Sequence, residues 1–227
     1  MFMKIPDCNK PLCFFCRSCQ PAWRNLNRIN GKKYSFKKGE LICKEGELID
    51  GMYFLTSGAA KVHKQWGNAH ENIIRFARAG DVLGFRGMSD NTFAISATAL
   101  EDCNTCFIPN EHVKASFPVN PNLSIQFMQL YANELQLAEM RMNNLANLDV
   151  KGRISGALLS LHQKFGEDNK GHLRLRISRQ DIASYAGTTY ETLFRVFSIW
   201  IAKGIIKTEG KSIKICKLGE LKKESDG

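Results

Sequence analysis

Between Tyr34 and Pro109 the chain is a series of short apolar runs broken by glycine, and this restricts the fold more than any other feature. The runs read as strands at Tyr34–Phe36, Leu41–Cys43, Gly51–Ser57, Ala59–Gln65, Asn72–Ala77, Ala94–Ala99 and Asn104–Ile108. Gly39, Gly46, Gly58, Gly67 and Gly80 fall between them, where turns call for positive φ. Many short strands at regular spacing imply an antiparallel sandwich or barrel.

Phe117–Pro118 and Pro121 close that unit, and a long helix is predicted from Leu123 to Asn147. Met128, Tyr131, Leu135, Ala138, Met142 and Leu145 alternate in steps of three and four, the spacing of a seam that packs helix against helix. A second apolar line (Phe127, Leu130, Leu137) is placed to face the β unit. Beyond Asp149 the pattern changes again. Val150–Phe165 reads as a helix, His172–Ile177 as a short strand, Ser178–Tyr185 and Thr188–Lys203 as two helices around Ala186–Gly187. Ile205–Thr208 and Ser212–Lys217 then flank a glycine turn as a hairpin. The predicted fold is therefore α+β: an N-terminal antiparallel β-roll of the cupin-like, jelly-roll kind, a long dimerisation helix and a C-terminal winged helix-turn-helix. The expected divisions are a cysteine-rich arm over 1–24, a sensor β-roll over 25–120, the dimerisation helix over 121–148 and a DNA-binding domain over 149–227.

Helix, tight glycine turn, helix and hairpin make a winged helix-turn-helix, whose second helix enters the major groove of DNA by its N-terminal turn. Glu191 and Arg195 lie four apart on one face, where a carboxylate accepts from cytosine and a guanidinium donates twice to guanine. Thr189 and Tyr190 open the same turn, and Ser178, Arg179, Gln180 and Thr188 suit phosphate contacts. Two plainer readings stand beside this one. Thr188 and Glu191 have capping-box spacing, and Glu191 with Arg195 could be a surface ion pair. Charge favours DNA: 32 basic against 22 acidic residues give +10, and residues 150–227 hold fifteen basic against eight acidic side chains.

Composition bounds the remainder. An apolar content of 44% is that of a globular chain. The longest uncharged stretch, Ala115–Asn133, is interrupted by Pro118 and Pro121, so no membrane span is expected, and residues 1–10 lack the pattern of a secretory signal. A cytoplasmic protein is the expectation. No nucleophile with base and acid, no phosphate loop and no carboxylate pair at catalytic spacing occurs, so no enzyme is expected. The five histidines are scattered.

The first 22 residues read as an irregular arm, because Pro6, Pro11 and Pro21 interrupt any helix and the cysteines leave little room for an apolar face. Cysteine usage is uneven. Cys8, Cys13, Cys16 and Cys19 fall within twelve residues, whereas Cys43, Cys103 and Cys216 read as structural residues of strands. Cys13-x2-Cys16-x2-Cys19 is spacing used for iron–sulfur clusters. It also suits tetrahedral zinc, or an exposed thiol switch. An inert arm is the remaining reading.

A glycine-punctuated β-roll, a long helix and a winged helix-turn-helix together resemble the CRP/FNR family of bacterial transcription regulators, over about Asn25 to Cys216. Lys38–Gly39–Glu40–Leu41, Glu45–Gly46 and Met52–Gly58 are similar to the family's first β-roll turns, and Ala79–Phe85 to its central G-D-x-x-G-F stretch. Asp181–Ile182–Ala183, Gly187, Glu191–Thr192 and Arg195 resemble its recognition motif. Members that bind cyclic nucleotides carry a glycine-glutamate segment and an arginine-serine pair. Here the glutamate is missing and Asn91–Thr92 stand where that pair would be, so the resemblance implies no cAMP binding. The similarity is to the FNR branch, whose N-terminal cysteines and one distant β-roll cysteine hold an oxygen-labile [4Fe–4S] cluster. Cys106 stands at the place of the distant cysteine, which makes Cys13, Cys16, Cys19 and Cys106 the implied ligands. The N-terminal spacing is tighter than in the best-known FNR-type sensor, and Cys8 offers a different choice of three. The resemblance implies a homodimer on double-stranded, pseudo-palindromic DNA with a TGA-like half-site core, and RNA polymerase as a further partner. The ligand-binding residues of the roll are unknown. A small ligand near Arg86, thiol oxidation, and a metal or redox protein that does not bind DNA are the alternatives.

Overall fold

The structure, a computed structural model, describes residues 13–66, 70–88 and 92–225. Its chain divides into two compact units, Met1–Glu134 and Leu135–Gly227.

The first unit begins with α1 (Phe14–Ser18), a 3-10 turn (Pro21–Trp23) and α2 (Arg24–Asn30). Eight strands follow: β1 (Lys32–Phe36), β2 (Leu41–Cys43), β3 (Gly51–Ser57), β4 (Ala59–Trp66), β5 (His70–Arg78), β6 (Val82–Leu83), β7 (Ser96–Ala99) and β8 (Cys103–Pro109). A short helix α3 (Asn110–Ser116) leads to the long helix α4 (Pro121–Asn147). The strands form two four-stranded sheets, ordered β1-β8-β3-β6 and β2-β7-β4-β5, with every pairing antiparallel. The β3–β4 turn requires glycine. Gly58 has φ +86°, and a Cβ there would lie 2.5 Å from the Asp102 carbonyl oxygen and 2.7 Å from the Cys103 Sγ.

Successive strand side chains point to opposite faces, and the β1-β8-β3-β6 sheet is buried on both. Leu55, Leu83 and Cys103 join Ile42, Cys43, Val62, Ala77 and Ala97 in a core drawn from both sheets. Met52, Phe54, Val82, Cys106 and Ile108 face the other way, into a second core completed by α1, Val113 of α3 and Leu123 and Phe127 of α4. Residues 14–18 are therefore no irregular arm: Phe14, Phe15, Cys16 and Ser18 of α1 are buried. Buried cysteines behave as small apolar residues, so they widen the apolar face rather than interrupt it. β6 and α3 were not anticipated from the sequence, and β5 is longer than expected.

On α4 the seam Met128, Tyr131, Leu135, Ala138, Met142 and Leu145 is exposed along its whole length. The second apolar line is only partly inward. Phe127 is buried and Leu130 packs on the second core, but Leu137 is exposed.

The second unit continues with α5 (Val150–Phe165), α6 (Arg179–Tyr185), α7 (Tyr190–Ala202), β9 (Ile206–Glu209), β10 (Ser212–Ile215) and α8 (Leu218–Ser225). Asp149 caps α5 by accepting from the Gly152 amide at 2.8 Å. The 172–177 stretch alternates as expected, with Leu173, Leu175 and Ile177 buried and Arg174 and Arg176 exposed. It is not a strand, because among the described residues its only ladder partners are isolated bridges at His172 and Leu173. β9 and β10 pair from Ile206↔Ile215 to Glu209↔Ser212, closing the predicted hairpin. α8 was unforeseen; it buries Leu221, whose carbonyl accepts from the buried Ser155 hydroxyl. No helix among the described residues is long and apolar enough to cross a membrane.

Candidate functional site

The α6–α7 pair is held at its turn. Gly187 has φ +63°, and a Cβ there would come 2.9 Å from Leu145 Cδ2. The Thr188 amide donates to the Ala183 carbonyl at 3.0 Å. Two arginines then hold the carbonyls at the end of α6. Arg153 donates from Nε to Ala186 O at 3.1 Å and from Nη2 to Gly187 O at 3.4 Å. Arg141 donates to Tyr185 O at 3.1 Å with its guanidinium 4.6 Å above the Tyr185 ring, and burial lowers its pKa. Sequence reading missed both arginines. They act on carbonyls 33 and 44 residues away, beyond any local spacing rule.

The proposed phosphate contacts separate. Ser178 is the N-cap of α6: its Oγ accepts from the Asp181 amide at 3.0 Å and donates to the Asp181 carboxylate. Arg179 donates to Gly210 O at 3.2 Å and Ser212 O at 3.5 Å and stacks 5.1 Å over Phe197. Burial lowers its pKa. Both side chains bond within the domain. Arg179 is a strut between α6 and the hairpin. Gln180 is exposed and Thr188 half-buried.

The base-reading candidates fare differently. The cap of α7 is Thr189, not Thr188, and accepts from the Thr192 amide at 3.3 Å. Glu191 is held below the usual carboxylate range by its own backbone amide and then by the Thr189 hydroxyl. Arg195 donates to Thr192 Oγ1 at 3.3 Å, and among the described residues Glu191 and Arg195 form no ion pair. Leu193, Val196, Phe197 and Trp200 are buried; Thr189, Tyr190, Glu191, Phe194 and Arg195 are exposed. At 3.6 residues per turn, Glu191 and Arg195 sit on the face opposite the core. Lys207 and Lys211 of the hairpin are exposed as well.

In the first unit Cys13, Cys16, Cys19 and Cys106 all enter the second core, each no more than 5% exposed. Cys106 sits on the central strand β8 opposite Phe54 of β3. Phe54 in turn packs on Phe14 and Phe15 at ring-centroid distances of 6.3 and 5.2 Å. That pair lies between Cys13 and Cys16, and Phe14 also meets Phe127 of α4 edge-on at 5.1 Å. Polar pairs fasten the segment to α3 and the root of α4. The Gln20 amide donates to Asn120 Oδ1 at 2.8 Å, Asn122 Nδ2 to Ser18 O at 3.1 Å and Trp23 Nε1 to Ser116 Oγ at 2.8 Å. His112 pairs with buried Asn27 at 2.8 Å and stacks on Trp23, and burial lowers its pKa. Phe14, Phe15, Trp23 and Asn27 were not foreseen; the Phe14–Phe15 pair inside the cysteine spacing was the available signal.

Among the described residues no group of three or more His, Cys, Asp or Glu side chains is arranged to hold a metal ion. The four thiols share one apolar core and are donors of the soft-sulfur kind that iron–sulfur clusters use, but they are not gathered there as a ligand set. Burial removes the exposure that a thiol switch requires. Cys8, the alternative ligand, lies outside the described residues. Burial pushes the Cys43 and Cys103 thiols up to about 12 and about 11, as for structural cysteines. Cys216, expected to be buried, is exposed.

Arg86, the anion candidate of the β-roll, lies 3.4 Å from Glu134 of α4, which Arg75 also approaches at 3.4 Å. The two guanidiniums share that one carboxylate. Asn91, at the place of the phosphate-gripping pair, lies outside the described residues.

Comparison with known proteins agrees with this architecture. Residues 33–117 match the cyclic nucleotide-binding domain and residues 152–224 the Crp-like helix-turn-helix domain. The transcriptional activator protein anr of Pseudomonas aeruginosa is 30% identical over 92% of this chain and 87% of its own. Electron transport regulator A of Shewanella oneidensis is also 30% identical, with the same coverage. The structure of FixK2 from Bradyrhizobium japonicum superposes with a TM-score of 0.76 at 25% identity, covering 85% of this chain and 96% of that one. A β-roll, a long helix and a DNA-binding winged helix-turn-helix, joined to relatives of this kind, place the chain in the CRP/FNR family of transcription regulators.

Proposed function

We propose that this regulator is a cytoplasmic homodimer that senses oxygen or redox state through a cysteine-ligated iron–sulfur cluster, with [4Fe–4S] favoured. The observation that carries the reading is the burial of Cys13, Cys16, Cys19 and Cys106 in one core, although Cys106 is far from the others in sequence. These four residues would hold the cluster, which supplies an oxygen-labile cross-link through four thiolates. Cys106 anchors one end on the central strand, and the three N-terminal cysteines lie on a segment fastened to Ser116, Asn120 and Asn122 at the root of α4. Phe14 against Phe127 couples the same segment to the helix. The exposed α4 seam is the surface for a second copy, and its pairing would set the distance between two recognition helices. Cyclic nucleotide is not the expected signal, since the glutamate is missing and Asn91–Thr92 stand where the arginine-serine pair would be. RNA polymerase is the partner this family implies for activation.

Anaerobic purification with a visible spectrum and iron, sulfide and zinc analysis tests the centre. The expected product is brown, with near-equal iron and sulfide, and bleaches in air. Cys106→Ser should be colourless and should bind DNA anaerobically as weakly as air-exposed wild type. Undiminished anaerobic affinity in that variant would sink the coupling, and a colourless wild type holding one zinc would replace the cluster by zinc.

For DNA, the exposed Glu191 and Arg195 support reading of a G·C pair in each half-site, with half-sites about one helical turn apart. Arg195→Ala should cost about 1–3 kcal/mol and relax specificity at one base, measured by competition binding across single-base variants at fixed salt. A uniform loss across sequences would mean a phosphate contact.

A further inference from the structure

The recognition helix exposes more aromatic surface than its packing explains. Its core stripe is Leu193, Val196, Phe197 and Trp200, all buried. Phe194 lies outside that stripe and is 59% exposed. Tyr190, one turn earlier, is exposed too, and the two rings stack at 6.4 Å with an interplanar angle of 22°. Residues four apart on a helix are neighbours, so the pair forms a continuous apolar strip. It borders the Glu191 and Arg195 face and begins at the first residue of the helix, next to the Thr189 cap. Large side chains left in water on a helix that enters the major groove need a partner there.

We infer that Tyr190 and Phe194 form an aromatic edge that reads the C5-methyl group of a thymine beside the base pair addressed by Glu191 and Arg195. The thymine methyl is the apolar group in the code of the major groove, and phenylalanine is among the side chains that contact it. Position assigns the roles. Phe194, the more exposed and nearer to Glu191 and Arg195 around the helix, makes the contact. Tyr190 is a positioning residue whose stacked ring limits the rotamers of Phe194, so less freedom is lost on binding. The strip is continuous with the base-reading face, and the basic residues of the domain supply the attraction to the duplex. The inference rests on the DNA-binding reading and adds to it a second, apolar determinant of sequence.

The test uses the full-length protein, prepared anaerobically, and a duplex it selects from randomised DNA. Each thymine of the selected site is replaced in turn by uracil, which removes only the methyl group, and affinity is measured at fixed salt. One thymine per half-site should show about a fourfold loss, equivalent to about 0.8 kcal/mol for one buried methyl-sized group. Phe194→Ala, at an exposed position, should bind thymine and uracil duplexes equally. Tyr190→Ala should shrink the uracil penalty, and Tyr190→Phe should preserve it. A uracil penalty at no position, or one that persists undiminished in Phe194→Ala, overturns the inference while specific binding stands. Selection that enriches no site removes the DNA reading and the inference together.

Discussion

Phe15→Ala is expected to lower the stability of the N-terminal unit by about 3–5 kcal/mol, the range for truncating a fully buried phenylalanine. Phe15 has no exposed surface, packs on Phe54 of the central sheet and reaches the His112 ring. Its removal opens a cavity beneath α1 between Cys13 and Cys16, where the backbone is committed to its own helix and cannot collapse freely. A domain of this size has roughly 5–15 kcal/mol to lose, so the variant should unfold at much lower denaturant concentration. Urea unfolding and limited proteolysis together make the measurement: the segment before β1 should become the first site of cleavage. Retention of the proposed cluster's iron should fall as well, although no thiol has been changed. Unchanged cleavage and an unchanged midpoint would mean that α1 does not depend on this contact.

Trp200→Ala is the corresponding lesion in the C-terminal unit. Trp200 is the bulkiest of the fully buried side chains, packs near Phe197, and its carbonyl receives the Ile205 amide at 2.8 Å where the hairpin begins. The expected loss is again about 3–5 kcal/mol. Because α7 carries both Trp200 and the base-reading residues, specific DNA binding should disappear with the structure. Two units need not unfold in one transition. Calorimetry should therefore show one transition displaced in Trp200→Ala and a different one displaced in Phe15→Ala. Movement of both transitions by either substitution would contradict the division into two units.

Much of this architecture is legible in the sequence because it is local. Glycines at turns, alternation in strands and three-four spacing in α4 each act over a few residues, and β2 and β3 fall where the pattern puts them. The second helix of the DNA motif was legible for the same reason, with its cap misplaced by one residue. What was not legible depends on distant partners. The cysteine segment looked irregular because its apolar face is completed only by Phe54, Cys106 and Phe127, which the fold brings to it. Nothing near Arg179 in sequence discloses that hairpin carbonyls will accept from its guanidinium. The 172–177 stretch has the alternation of a strand but among the described residues finds only isolated bridges, and only the tertiary structure decides that.

The β1-β8-β3-β6 sheet is buried on both faces, and this bears on the life of the protein. The outer face is covered by α1 together with α3 and the root of α4, not by a second sheet. If the α1 segment lifts, Met52, Phe54 and Ile108 and the rings of Phe14 and Phe15 come into water together, a contiguous apolar patch of the kind that draws chaperones and proteases. Loss of the cover and exposure to turnover would then be one event, and a copy that has lost its α1 segment is the one most readily removed.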